Sequence, residues 1–330
     1  MATIDSVAPP AARATTPAVA MSENLIERLH GQLSRATHID PHSHIEPQAA
    51  AATCLADILG YHYFTELAHS AGVPRDQIEG EGATADGRLD AVVAGLERFS
   101  NTVQHSWLLQ IARDLYGFEA PTVTPDNWRD LDASIRQQAA SAGWAEGVLE
   151  RSHIEAVFLT NDFDDPLEGF DTSRYVPCLR VDELVFHTGK PGVLDRLSAS
   201  SGVEVRSADQ LAEALGSTAA RFRERGAKAA AISLPPGFRP EAIDTAAFSR
   251  SFEAVRAEGL SADACDRECV SKGIFWQVAR CCQEQQLPFD LMIGVRRGVY
   301  PGGVFQGQDL LDGRLSLADY AELFNAFPKV

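Results

Sequence analysis

Five short apolar runs alternate with longer stretches of helical period, and this alternation constrains the fold more than any other feature of the chain. The runs begin near residues 37, 154, 175, 228 and 288. HIEAVFLTND (153–162), RYVPCLRVD (174–182), AKAAAISLP (227–235) and LPFDLMIGV (287–295) are apolar cores bounded by polar residues, which predicts strands covered on both faces. SADQLAEALGSTAARFRERG (207–226) reads as a helix, with Ser207 and Gln210 as a capping box and Gly226 at its end. A second helical stretch runs from about Ser261 to Gln286, and a third is LSLADYAELFNAF (315–327). Strand–helix alternation of this kind predicts an α/β fold with a parallel sheet. Two architectures fit, an open doubly wound sheet and a (β/α)8 TIM-type barrel. No glycine-rich fingerprint follows the first strand, which disfavours the dinucleotide-binding form of the open sheet. A barrel needs eight strands, so the barrel reading is an incomplete one, with about five of the eight.

Between the first and second strands lies a long helical insertion, about residues 53–151. Gly72 and Pro74 close one helix in it and Gly117 closes another, while Thr124-Pro125 reads as an N-cap with proline at the first helical position. Residues 1–20 are Ala/Pro/Thr-rich without an apolar period and are expected to be a disordered N-terminal extension. Residues 21–330 are then one partial barrel domain. At 45% hydrophobic residues, it can bury a large core. With 29 Lys and Arg against 46 Asp and Glu, the net charge of −17 argues against nucleic-acid or anionic-membrane partners. No apolar run approaches the ~20 residues of a membrane span, and no secretory signal opens the chain, so the expected location is the cytoplasm. The six cysteines follow no small-scaffold spacing, which fits reduced thiols. Cys265, Cys269, Cys281 and Cys282 match no standard zinc knuckle and read as thiols on a helix.

The chemistry concentrates at strand ends. In Asp40-Pro41-His42-Ser43-His44, the i and i+2 imidazoles of His42 and His44 point the same way on an extended chain and can converge on one divalent ion. The alternative is a pair of solvated loop histidines; the position directly after an apolar strand favours ligation. Tyr61-His62-Tyr63 lies in a helical pattern just beyond and offers proton-transfer groups, although aromatic packing on an amphipathic helix is the simpler account. Asn161, Asp162, Asp164 and Asp165 follow the second strand, where Asp164-Asp165-Pro166 reads as a turn. Arg180 and Asp182 end the third strand, and Arg296 and Arg297 end the fifth. An arginine there is a natural fork for a carboxylate.

Taken in order, these motifs resemble the uronate (glucuronate) isomerase family of the amidohydrolase superfamily. Asp40, His42 and His44 match its D-x-H-x-H. Ile58-Leu59-Gly60-Tyr61-His62-Tyr63 is similar to its L-x-G-D-H-Y, with Ile58 for Leu and Tyr61 for Asp, and Phe64-Thr65-Glu66 replaces a basic Lys-Trp-Arg run. Ile154-Glu155 through Asp165 resembles its I-E-x-V-x-T-T-D-D-P-x-D. Val176, Pro177, Arg180 and Asp182 resemble V-x-P-x-x-R-x-D, and Asp290 through Gly294 resembles Q-L-H-I-G, with Met292 in place of His. The resemblance spans roughly residues 36–327.

The resemblance implies an enzyme that interconverts an aldose and a ketose uronate, glucuronate and fructuronate, by moving a proton between C1 and C2. It implies that His42 and His44 bind a divalent metal, with Zn²⁺ the expected ion. His62 and Tyr63 would face the substrate, Tyr63 as a proton-transfer group, and Arg180 would hold substrate oxygens. Arg297, from its strand-end position, joins Arg180 as an expected substrate contact. The partner would be a small sugar acid. The family's remaining ligand, an Asp on the last barrel strand, would lie beyond Val330, so the chain is expected to be a fragment and, with an open edge, prone to homo-oligomerise. Two other classes fit the same motifs: a metal-dependent hydrolase or decarboxylase of the superfamily, and an inactive sugar-acid-binding homologue.

Overall fold

The computed structural model describes residues 22–305 and 307–330; the expected disordered extension, residues 1–20, lies outside them. The chain divides after His38 into two units. In the first, Leu25, Ile26, Leu29 and Leu33 form one stripe of helix α1 (Ser22–Leu33). Strand β1 (His38–Asp40) starts at the last residue of that unit and carries the chain into the second.

Seven helices follow: α2 (Leu55–Leu59), α3 (His62–Ser70), α4 (Arg75–Glu79), α5 (Ala85–Gly95), α6 (Val103–Tyr116), α7 (Trp128–Ala139) and α8 (Trp144–Arg151). They share a core built on Leu55, Leu59, Leu89, Leu108, Trp128 and Ile135. Gly117 ends α6 at φ +65°, where the Phe118 N–H reaches back to the Ala112 carbonyl at 3.0 Å. At Thr124 the expected cap shifts. The Thr124 carbonyl accepts from Trp128 N–H at 3.1 Å, and its own N–H donates to Asn127 Oδ1 at 2.8 Å, so a turn precedes the helix and Asn127 is its N-cap.

Two of the five expected strands are each split. The run 153–162 yields β2 (Ile154–Phe158) and β3 (Asn161–Asp162), and the run 174–182 yields β4 (Tyr175–Val176) and β5 (Cys178–Arg180). The break falls at Pro177, which has no N–H for a ladder; beside it, the Asn161 side chain accepts the Cys178 N–H at 3.2 Å. β2 pairs in parallel with β4, and β3 with β5, setting Asp162 opposite Arg180.

Then come α9 (Asp182–Phe186), α10 (Val193–Ser201), α11 (Ala208–Glu224), β6 (Ala229–Leu234), α12 (Thr245–Glu258), α13 (Ala264–Gln285) and β7 (Phe289–Ile293). β6 pairs in parallel with both β5 and β7. On α11, Leu211, Ala214, Leu215, Thr218, Ala219 and Phe222 form the buried face. Ser207 caps it as expected, but Gln210 reaches back to the N–H of Arg206 (2.9 Å) rather than to that of the cap residue. Helices α10 and α12 have no counterpart in the sequence reading. The serine-rich VLDRLSASS has weak helix propensity, and its helix buries Val193 and Leu197 against the core. On α12, Phe248 packs over Gly273 of α13, where a Cβ would lie 2.2 Å from the ring.

Beyond β7 the chain forms an antiparallel pair, β8 (Val295–Arg296) with β9 (Leu310–Leu311), then a 3-10 turn (Leu317–Tyr320) and α14 (Ala321–Ala326) in place of one continuous helix. The sheets run in the orders β1-β2-β4 and β3-β5-β6-β7, so the strand segments are neighbours in chain order. Among the described residues they do not close into a barrel.

Candidate active site

A cavity of about 1320 Å³ opens where the strands end, with the helical block as its second wall. It brings together all six site residues expected from sequence: His42, His44, His62, Tyr63, Arg180 and Arg297.

The strand wall begins at β1. The His42 N–H is held by Asp40 Oδ1 at 3.1 Å, and the rings of His42 and His44 lie edge to face with centroids 5.1 Å apart. Thr160, between β2 and β3, fixes the tautomer of His44. Its hydroxyl donates to the Ser43 carbonyl (3.2 Å), so it accepts from His44 Nδ1 (2.9 Å) and leaves the Nε2 lone pair free. Burial lowers the His44 pKa, and the nearby His42, Arg180 and His62 lower it further. A neutral imidazole with an open Nε2 suits a divalent cation. No group of three or more His, Cys, Asp or Glu side chains able to hold a metal occurs among the described residues. The strand wall presents the two imidazoles of His42 and His44, without a third such side chain grouped with them among the described residues.

Arg180, at the end of β5, donates to Asp182 (3.0 and 3.4 Å) and to Ser233 Oγ (3.4 Å), while Asp182 also accepts the Ser233 N–H at 3.1 Å. Met292 of β7 sits beside Ser233 in register and also lines the cavity. Arg296 and Arg297 do not end the fifth strand as expected: β7 stops at Ile293, Arg296 lies in β8, and Arg297 follows it, held by Asp309 at 2.5 Å.

The segment around Tyr61-His62-Tyr63 is two short helices rather than one. Gly60 ends α2, where a Cβ would lie 2.4 Å from the Ala56 carbonyl, and Tyr61 turns extended to cap α3. His62 Nδ1 lies 3.0 Å from Glu66 Oε1, one helical turn on. Burial lowers the His62 pKa; burial and then Asp309 raise that of Glu66. The contact is thus a neutral imidazole donating to a carboxylate, with Nε2 again left open. The Tyr61, His62 and Tyr63 rings meet tilted or edge to face with centroids 4.3–5.2 Å apart, and Tyr63 remains 45% exposed. Burial raises the Tyr61 pKa, helped by Tyr63, Asp40 and Glu66.

Elsewhere, the acidic residues Asp164 and Asp165 are structural. Asp165 accepts the Leu167 N–H, and Asp164 takes Arg196 through two bonds of 2.7 Å. Burial pushes the Cys178 and Cys281 thiols up to about 12 and about 11, so neither is a thiolate ligand. The sequence reading missed Thr160, Ser233, Asp309 and Arg88 as parts of this region; Glu66 alone carried a local signal, its i+4 spacing from His62.

A profile of the glucuronate isomerase family matches residues 20–306. The chain belongs to that family. The family's reaction is an aldose–ketose isomerisation, and its members are in general metal-dependent. The fold is similar to three solved structures. For uronate isomerase from Thermotoga maritima the identity is 18%, the coverage 92% of this chain and 71% of that one, and the TM-score 0.79. For glucuronate isomerase from Caulobacter crescentus the figures are 17%, 94% and 69%, and 0.81. For a uronate isomerase from Bacillus halodurans they are 20%, 93% and 68%, and 0.68. No curated protein matches the chain. Among the described residues, no helix is long and apolar enough to cross a membrane.

Proposed function

We propose that the cavity isomerises a uronate, with His42 and His44 holding a divalent ion, His62 and Tyr63 moving protons, and Arg180 and Arg297 contacting the sugar acid's oxygens. The observation that carries this reading is the matched orientation of two imidazoles. His44 and His62 are each engaged through Nδ1, by Thr160 and Glu66, and so offer Nε2 lone pairs at one cavity. Zn²⁺ is the ion we favour, since imidazole nitrogen suits it. When bound, such an ion would polarise substrate oxygens and lower the cost of developing negative charge.

The chain's own residues account for the rest. In the aldose-to-ketose direction a proton leaves C2 and one arrives at C1, while a hydroxyl proton moves from O2 to O1. A neutral His62 Nε2 can accept a proton, and the Tyr63 hydroxyl can donate or relay one. Arg180, aimed by Asp182 and Ser233, is pre-positioned and need not lose side-chain freedom on binding.

In this reading the parallel segments are the first five strand positions of a (β/α)8 barrel, residues 21–330 form one partial barrel domain, and residues 53–151 are an insertion in it. A small sugar acid is the partner, self-association covers the open edge, and the cytoplasm is the setting.

The test is conversion of glucuronate by the purified chain with added divalent metal, followed by proton NMR in heavy water. The expected result is appearance of the ketose with solvent deuterium entering at the carbon that gains the proton. Hydrolysis of an amide or ester with the uronate untouched would move the protein to the hydrolases.

A further inference from the structure

The cavity wall carries three arginines and four carboxylates, and their pairing is uneven. Asp40 accepts the His42 N–H, Glu66 the His62 ring, Glu79 the Arg75 guanidinium (3.1 Å), and Asp309 both Arg297 and the Gly298 N–H. Arg180 and Arg297 are likewise committed, to Asp182 and Asp309. Arg88 differs: it is solvent-exposed, and among the described residues its guanidinium has no carboxylate partner, although it lines the same cavity.

Its placement on the helix sharpens this. Arg88 lies in the first turn of α5, its N–H bonded to the Thr84 carbonyl at 3.0 Å and the turn capped by the Thr84 hydroxyl on Gly87 N–H. The next residue, Leu89, is buried in the helical core and fixes the backbone. A cation in the first turn faces the positive end of its own helix; Asp86 in the same turn offsets part of that end but forms no ion pair with Arg88 among the described residues. An anion bound there would gain from both the guanidinium fork and the helix terminus.

We propose that Arg88 is the residue of this cavity that recognises the substrate's carboxylate, and so selects a sugar acid over the neutral sugar. The proposal rests on the uronate isomerase reading above. Arg180 and Arg297 have their charge offset by carboxylates of the chain, whereas Arg88 offers its whole fork to an incoming anion.

The experiment uses the full chain, with Arg88→Gln and Arg88→Lys, and compares glucuronate with glucose. In Arg88→Gln, KM for glucuronate should rise about 10- to 100-fold, the effect of one lost charge-assisted hydrogen-bonding group. The kcat should stay near wild type, any turnover of glucose should be unaffected, and Arg88→Lys should recover part of the loss. An unchanged KM for glucuronate, or an equal rise for glucose, would overturn the assignment. Binding of gluconate, measured by calorimetry, separates this from the parent reading. If the wild type converts no uronate but binds gluconate and Arg88→Gln does not, the isomerase reading falls and the Arg88 assignment stands. A wild type that fails to bind gluconate overturns the assignment.

Discussion

The two walls of the cavity are built by different rules. On the strand wall the functional groups lie at or just beyond strand ends, and two of them are held by a neighbouring segment: His44 by Thr160, and Arg180 by Ser233 as well as by Asp182. On the helical wall the fixing is within one helix or one turn, as His62 to Glu66, and the wall itself is carried by a separate core of helices α2 to α7. The strand wall therefore offers precise convergence of ligands, and the helical wall offers groups that approach a substrate from the other side. Metal binding should belong to the first and proton transfer to the second.

The largest effect that could break this division comes from His42→Ala with His44→Ala. The double variant should lose its divalent ion altogether, read by elemental analysis, while keeping a cooperative melt, because neither imidazole belongs to a buried cluster. Equal metal content in wild type and variant would move the metal away from the strand wall. Next in size is Tyr63→Phe, which removes one hydroxyl from a half-exposed ring. It should lower kcat by about 10²- to 10⁴-fold, the range of general acid–base catalysis, with metal content and melting temperature unchanged. A variant that keeps full kcat would return Tyr63 to packing.

How much of each wall is legible in the sequence follows the same division. The pairing of His42 and His44 was readable from their i, i+2 spacing after an apolar run, although both lie past the end of β1, on irregular backbone rather than on the strand itself. Thr160 was not readable, since its partner lies 116 positions away and only the pairing of sheets brings them together. The break between β4 and β5 at Pro177 could be seen as a proline in a strand, but its consequence, the Cys178 N–H taken by the Asn161 side chain, depends on tertiary contact. On the helical wall, Tyr61-His62-Tyr63 read as part of a helical pattern; the actual break comes at Gly60, which ends α2, and at Tyr61, whose extended backbone starts α3. Arg88 had no local mark at all, because what distinguishes it is the absence of a carboxylate partner among the described residues.

A smaller test sharpens the strand wall. In Thr160→Val the group that accepts from His44 Nδ1 is lost while the volume is kept. The tautomer would no longer be held, and metal affinity should fall about 10- to 100-fold, as for other outer partners of ligating histidines. A competitive chelator titration measures this. An unchanged affinity would show that His44 is oriented by its backbone alone.

The smallest effect is on the helical wall and is read as a titration. Burial holds the His62 pKa below the ordinary 6.5, and burial together with Asp309 raises the Glu66 carboxyl. Two outcomes compete: an ion pair would raise the histidine and lower the glutamate, whereas desolvation drives both toward their neutral forms. The directions here are those of desolvation, so a nitrogen-detected NMR titration should place the His62 midpoint below 6.5. The linkage sign follows. The unfolded chain takes up this proton first as pH falls, so the contribution to stability is complete above 6.5, and it declines through that value until the folded-state midpoint has been passed. The acid limb of kcat should accordingly lie below 6.5, since a neutral Nε2 stays populated there. Glu66→Gln removes the one negative charge in contact with the ring and should push the midpoint lower still. A midpoint above 6.5 in the wild type, falling in Glu66→Gln, would mean that the ion pair outweighs burial, and that His62 enters the reaction as an acid instead of a base.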